Sequence, residues 1–136
     1  MRKLLALLAV CTLVACDTRN GLSVAPLASE LGAFSARSVN GLPLPYVLSP
    51  AGASTKREVV ADTIFLLTGK IAREVFYTRS TTGTSAPLIS MSDQSVNYSI
   101  VGDSIDLSGL GFSNGRYTGG TTLTLVDGIG TWIYQK

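Results

Sequence analysis

The chain has 136 residues, 46% of them hydrophobic, and its eleven basic and nine acidic side chains leave a formal charge of only +2. So small a charge lacks the basic footprint that a nucleic-acid partner requires. There is no histidine, which removes the commonest general base and the commonest metal ligand together.

The chain opens with MRKLLALLAVCTLVAC, in which Arg2 and Lys3 precede an uncharged apolar run from Leu4 to Val14. A run of about eleven residues is too short for a bilayer core, which needs roughly twenty. A charged start, a short apolar run and a small residue before the cut are the parts of a secretory signal peptide. The closing Leu13-Val14-Ala15-Cys16 resembles the lipobox of bacterial lipoproteins. That resemblance implies cleavage between Ala15 and Cys16, a diacylglyceryl thioether on Cys16, and a mature protein anchored to a membrane of the bacterial cell envelope, facing the periplasm or the exterior. One acyl chain holds a protein marginally and two hold it stably, at about 0.8 kcal/mol per buried methylene. Asp17 resembles an enterobacterial inner-membrane retention signal, but that rule differs among bacteria, so the membrane is left unassigned.

Loss of residues 1–15 leaves 121, enough for one domain. Arg2, Lys3 and Cys11 leave with the signal, so nine basic residues then balance nine acidic ones. Cys16 is consumed by lipid, and the domain has no disulfide to hold it together. Residues 16–31 read as the lipidated cysteine and a flexible tether, with Asn20-Gly21 and Pro26 and no aromatic side chain. Residues 32–136 form the predicted domain.

That domain is rich in threonine, valine, isoleucine, tyrosine and glycine and keeps no helical period, which is the composition of β-sheet. A first strand is expected around Ala33 to Val39, then an extended segment from Leu44 to Leu48. Thr68-Gly69 separates VVADTIFLL from KIAREVFYT, a link that can need a bulge, and a hydroxyl-rich loop is read from Ser80 to Ser92. Gly102-Asp103, Gly119-Gly120 and Asp127-Gly128 then mark three tight hairpins. Alternation groups Ile71, Val75 and Tyr77 on one face, with Arg73 as the exception. It does the same for Val96, Tyr98 and Ile100, for Leu123 and Leu125, and for Trp132 and Tyr134 opposite Ile133.

Eight or nine strands joined mostly to their neighbours predict an all-β fold, an antiparallel meander closed into a small barrel, because closure removes exposed edges. A two-sheet sandwich is the alternative. The run Ser38-Val39-Asn40-Gly41-Leu42-Pro43-Leu44-Pro45, the Thr-Gly hairpin, the segment from Asn97 to Leu107, Tyr117-Thr118-Gly119 and the closing Trp132-Ile133-Tyr134 together resemble small lipocalin-like envelope proteins of bacteria. The resemblance covers roughly residues 32 to 136. It implies a lipocalin-like barrel and no particular activity.

For chemistry, Gly111-Phe112-Ser113-Asn114-Gly115 fits the G-x-S-x-G elbow of serine hydrolases. That elbow needs a following helix and a histidine base, whereas RYTGGTTLTL reads as strand, so the segment is expected to be a glycine-rich loop. No Ser-x-x-Lys spacing occurs, and Lys56, Lys70 and Lys136 read as solvated charges. Asp103 and Asp106 fit turn chemistry and a solvated face. Asp62 and Glu74 can face each other across the Thr68-Gly69 hairpin as an acid–base pair, without any further signature. With only oxygen ligands left and no calcium-loop pattern, no metal and no cofactor are expected, and no enzyme is predicted. Asn97-Tyr98-Ser99 matches a glycosylation sequon but reads as strand.

Phe65, Phe76, Tyr98, Tyr117 and Trp132 are the candidates to line a ligand cavity. The leading expectation is therefore a membrane-tethered barrel accepting a small apolar ligand in its mouth. The alternative is a structural or protein-interaction module of the envelope with a filled core, its partner surface lying in the loop from Ser80 to Ser92.

Overall fold

The computed structural model describes residues 32–136, so Ala15, Cys16 and the tether lie outside the described residues. The strands are β1 (Gly32–Val39), β2 (Leu42–Pro43), β3 (Tyr46–Val47), β4 (Thr55–Leu67), β5 (Ile71–Thr82), β6 (Leu88–Asn97), β7 (Ser99–Val101), β8 (Ser104–Asp106), β9 (Asn114–Thr118), β10 (Thr122–Val126) and β11 (Thr131–Gln135). Short 3-10 turns fill Thr68–Lys70 and Ser108–Leu110.

The sheet runs β6-β5-β4-β1-β11-β10-β9-β8-β7, with β2 and β3 added beside β1 and β4. All of its ladders are antiparallel. This is the expected all-β meander, with nine strands curled into a barrel-like sheet. The first strand meets the last through pairs from Ser35↔Gln135 to Val39↔Trp132. The ring is open between β6 and β7, which have no ladder although only Tyr98 separates them in sequence. Tyr98 turns the corner, its backbone N–H donating to the Lys70 carbonyl at 2.8 Å. The strand read through SVNYSIV is thus two strands on opposite edges of the sheet.

Two bulges set which side chains point inward. In β1 the register shifts between Ala36 and Ser38, so the inner face passes from Phe34 and Ala36 to Val39. In β4 the shift between Val59 and Ala61 keeps Val59 inside along with Asp62, Ile64 and Leu66. A bulge adds one residue to one strand only, and strict alternation breaks there. The inner face is filled by Phe34, Val39, Val59, Ile64, Leu66, Leu123, Leu125, Trp132 and Tyr134, all fully or almost fully buried. Each such side chain contributes about 1.5–3 kcal/mol on removal from water.

One expectation is refined and another is corrected. On β5, Ile71, Arg73, Val75 and Tyr77 do share a face, and it is the outer one, while Ala72, Glu74, Phe76 and Thr78 point inward. An inward carboxylate disguised the pattern. The stretch from Ser80 to Ser92 is mostly strand, leaving only residues 83–87 as the connection. Its threonines are β-branched and pair well across strands, as in the 2.8 Å hydroxyl contact between Thr55 and Thr82.

The open side of the ring is partly covered by the Ser108–Leu110 turn, which packs on β6. Gly109 permits this approach, since a Cβ there would lie 2.8 Å from Val96 Cγ1.

Candidate functional site

Asp62 sits in the centre of β4, in a run of otherwise apolar or small residues, and its alternation with Ile64 and Leu66 turns it inward. It is 2% exposed. The hydroxyl of Tyr134 on β11 donates to its Oδ2 at 2.5 Å, while Oδ1 has no hydrogen-bond partner among the described residues. Burial pushes the Asp62 carboxyl up to about 7; Tyr134's hydrogen bond opposes that rise, and the nearby negative charges of Glu74 and Asp127 add to it. The Thr63 amide also favours the charged form, without completing a hydrogen bond of normal geometry. Burial, reinforced by Asp62, raises the Tyr134 hydroxyl above its ordinary value, so it remains a donor.

Glu74 enters from β5, where it pairs with Ile64 across the ladder, and it is 6% exposed. Gln94, its partner on β6, donates from Nε2 to Oε2 at 2.6 Å. Burial raises the Glu74 carboxyl; Gln94 opposes the shift and Asp127 adds to it. Asp127 begins the β10–β11 turn, where its Oδ1 accepts the backbone N–H groups of Ile129 and Gly130 at 2.8 and 2.9 Å.

Trp132 completes the arrangement. Its ring is stacked on Tyr134 at 6.1 Å and meets Phe76 edge-on at 6.2 Å. Its indole N–H is buried without a partner among the described residues. Asp62, Glu74, Gln94, Asp127 and Trp132, with Phe76 and Phe112, line one cleft of about 180 Å³, and Tyr134 supports it from behind Asp62. Buried polar atoms are nearly always satisfied, so two orphans on one cleft mark it as a place where a ligand's polar groups would be matched.

Of the five aromatic residues singled out in sequence, Phe76 and Trp132 line this cleft. Phe65 faces outward, with the Arg73 guanidinium 6.0 Å from its ring centre. Tyr98 borders a separate depression beside Leu67 and Lys70, and its hydroxyl donates to the Leu67 carbonyl at 3.4 Å. Tyr117 packs edge-on against Phe34 at 5.9 Å. The five form no common wall. Asp62 and Glu74 do come together, but diagonally, because Asp62 pairs with Phe76 and Glu74 with Ile64. Sequence reasoning missed Gln94, Phe112 and Asp127. The usable signal was Asp62 itself, an ionisable residue inside a strand that otherwise reads as core.

The remaining polar clusters have structural explanations. Ser113 donates to the Val126 carbonyl at 3.2 Å and is followed by β9 rather than a helix, so the G-x-S-x-G match carries no elbow. Asp103 pairs with Arg116, and Asp106 accepts the Ser108 N–H at 2.9 Å. Glu58 is covered by Arg79 and Lys56, with ion-pair distances of 2.8 and 2.7 Å, and their hydrogen bonds hold its carboxyl below its ordinary value. Among the described residues no group of three acidic side chains is arranged to hold a metal ion. Compared with known proteins, the chain matches no family model, no curated protein and no solved structure at a significant level.

Proposed function

We propose that this protein is a lipid-anchored binding barrel of the bacterial envelope, tethered through Cys16 and taking a small molecule into the cleft between Asp62 and Trp132. The observation that carries the binding reading is that two residues lining one cleft, Asp62 and Trp132, each hold a buried polar atom, Oδ1 and Nε1, with no partner among the described residues. A lipocalin-like role accords with a barrel-like meander whose ring of strands is open between β6 and β7. The tether rests on the charged, apolar and Leu13-Val14-Ala15-Cys16 sequence at the N-terminus.

Mass spectrometry of the protein extracted from membranes of a bacterial host tests both parts. The N-terminal peptide is expected to begin at a lipid-modified Cys16, and Cys16→Ala is expected to lose the lipid and the membrane fraction. Native spectra of the intact protein are expected to carry a small co-purifying mass. A soluble, unmodified product ends the anchor reading, and ligand-free spectra under gentle release count against the binding reading.

A second reading, an envelope interaction module, is favoured by one observation. Strand β6 is a sheet edge and exposes Leu88, Ile89 and Met91, each more than half accessible. Such an edge is a template for pairing with another chain. Crosslinking in envelopes followed by Ile89→Lys separates the readings, since loss of a crosslinked partner with ligand binding unchanged supports the module.

A further inference from the structure

We infer that the cleft is built for a small organic cation, a protonated amine with a neighbouring oxygen acceptor, held between the carboxylates of Asp62 and Glu74 and the ring of Trp132. This rests on the binding reading above and names its ligand class.

Charge is the first argument. Among the described residues the cleft wall carries three carboxylates, Asp62, Glu74 and Asp127, and no basic side chain. An anion would meet uncompensated repulsion there, and a neutral apolar molecule would leave both orphaned polar atoms unmatched. A cation finds both carboxylates and aromatic faces, since a ring attracts an ammonium placed over it.

The orphaned atoms supply the second argument. Asp62 Oδ1 needs a donor, which an ammonium provides. The Trp132 indole can only donate, so it needs an acceptor, and an ammonium offers none. A hydroxyl or carbonyl oxygen beside the amine meets that requirement. A bare metal ion does not, because an indole N–H cannot ligate it. A cleft of about 180 Å³ has room for a small amino alcohol.

Binding should also depend on pH in one direction. The titratable groups at the site are Asp62 from β4, Glu74 from β5, Asp127 from the β10–β11 turn and Tyr134 from β11, while β6 offers only the neutral Ser92 and Gln94. Burial holds the Asp62 carboxyl near 7 and raises that of Glu74. A cation is therefore bound better at pH 8, where these groups are charged, than at pH 5.

The chain contains a single tryptophan, Trp132, so one indole N–H resonance reports the site in the full-length protein held in detergent micelles. Titration with 2-aminoethanol is expected to shift that resonance saturably at pH 8, with affinity at least tenfold weaker at pH 5. Asp62→Asn is expected to weaken binding at least tenfold and Glu74→Gln at least threefold, and the wild-type pH series needs no variant to fold. The neutral isostere 1,2-ethanediol is expected to bind at least tenfold more weakly. If the diol binds equally well, or affinity is the same at both pH values, the cation assignment is overturned while the binding reading stands. If neither probe moves the resonance and no co-purifying mass is found, both are overturned.

Discussion

The hydroxyl of Tyr134 reaches across β1 to donate to Asp62 Oδ2 at 2.5 Å, joining β11 to β4 over 72 residues of sequence. The β1 residue paired with Tyr134 is Ala36, whose small side chain leaves the phenol room to pass. This contact holds one oxygen of a buried carboxylate and leaves the other without a hydrogen-bond partner among the described residues.

The stability of the protein should fall as pH rises through the range that Asp62 controls. Its folded pKa, about 7, lies above the ordinary 3.8, so the folded chain keeps a proton that the unfolded chain releases. That contribution is complete below about pH 4 and lost above about pH 7, at roughly 1.4 kcal/mol per unit and about 4 kcal/mol in all. Glu58, Asp93, Asp103 and Asp106 have lowered pKa values and act oppositely, their stabilisation being lost only as pH drops below about 4. Urea unfolding followed by Trp132 fluorescence is expected to show greater stability at pH 5 than at pH 8. Asp62→Asn is expected to flatten that slope; a wild type equally stable at both pH values contradicts it.

Tyr134→Phe removes the donor and leaves both Asp62 oxygens unmatched. The expected cost at pH 8 is about 1–3 kcal/mol. At pH 5 the cost is smaller, because a protonated carboxyl has less to lose. Equal losses at the two pH values would show that the hydroxyl's contribution does not depend on the charge of Asp62.

Asn40 ties together two turns far apart in sequence. Its Oδ1 accepts the Thr131 N–H at 2.9 Å, its Nδ2 donates to the Ile129 carbonyl at 3.2 Å, and its own backbone is left-handed at φ 51°. Asn40→Ala loses these two hydrogen bonds and a third, from Nδ2 to the Tyr46 hydroxyl at 3.3 Å, and strains the backbone, for an expected cost of about 2–3 kcal/mol. Asn40→Gly, free of the strain, should fall between wild type and alanine in thermal melts.

Gly115 and Ser113 share the G-x-S-x-G match but differ in weight. A Cβ at Gly115 would lie 2.5 Å from the Ile105 carbonyl oxygen and 2.9 Å from Leu125 Cδ2. Gly115→Ala is expected to destabilise by about 1–3 kcal/mol. Ser113→Ala, at an exposed side chain, should change stability by roughly 0.5 kcal/mol or less. The same denaturation assay ranks them, and a reversed order would refute this account of the motif.

Strand β6 invites self-association when its edge is uncovered. Replacing Ile89 and Met91 together by lysine puts charge on the outer face of the edge, a common protection against strand pairing. Light scattering during mild heating is expected to show slower aggregation for the double variant, with little change in melting temperature.

Much of the architecture was legible in the chain because its causes are local. Gly102-Asp103 and Gly119-Gly120 turn where their backbone chemistry allows, and Leu123, Leu125, Trp132 and Tyr134 alternate inward as their spacing predicts. On β5 the shared face of Ile71, Val75 and Tyr77 was legible but its outward direction was not, because an inward Glu74 and an outward Ile71 reverse the usual pattern. The missing histidine likewise limits the available chemistry whatever the fold.

The sequence by itself determined an all-β chain, the places where it turns, and an N-terminus that reads as a lipid-anchored signal. Only the tertiary structure decided that β1 closes on β11, that bulges in β1 and β4 carry Val39 and Val59 inward, and that Asp62, Glu74, Asp127 and Trp132 share one cleft. The physical reason is that turn preferences act within a few residues, whereas side-chain direction depends on register. Register is set by pairing between segments up to a hundred residues apart, and one inserted residue reverses every face that follows it.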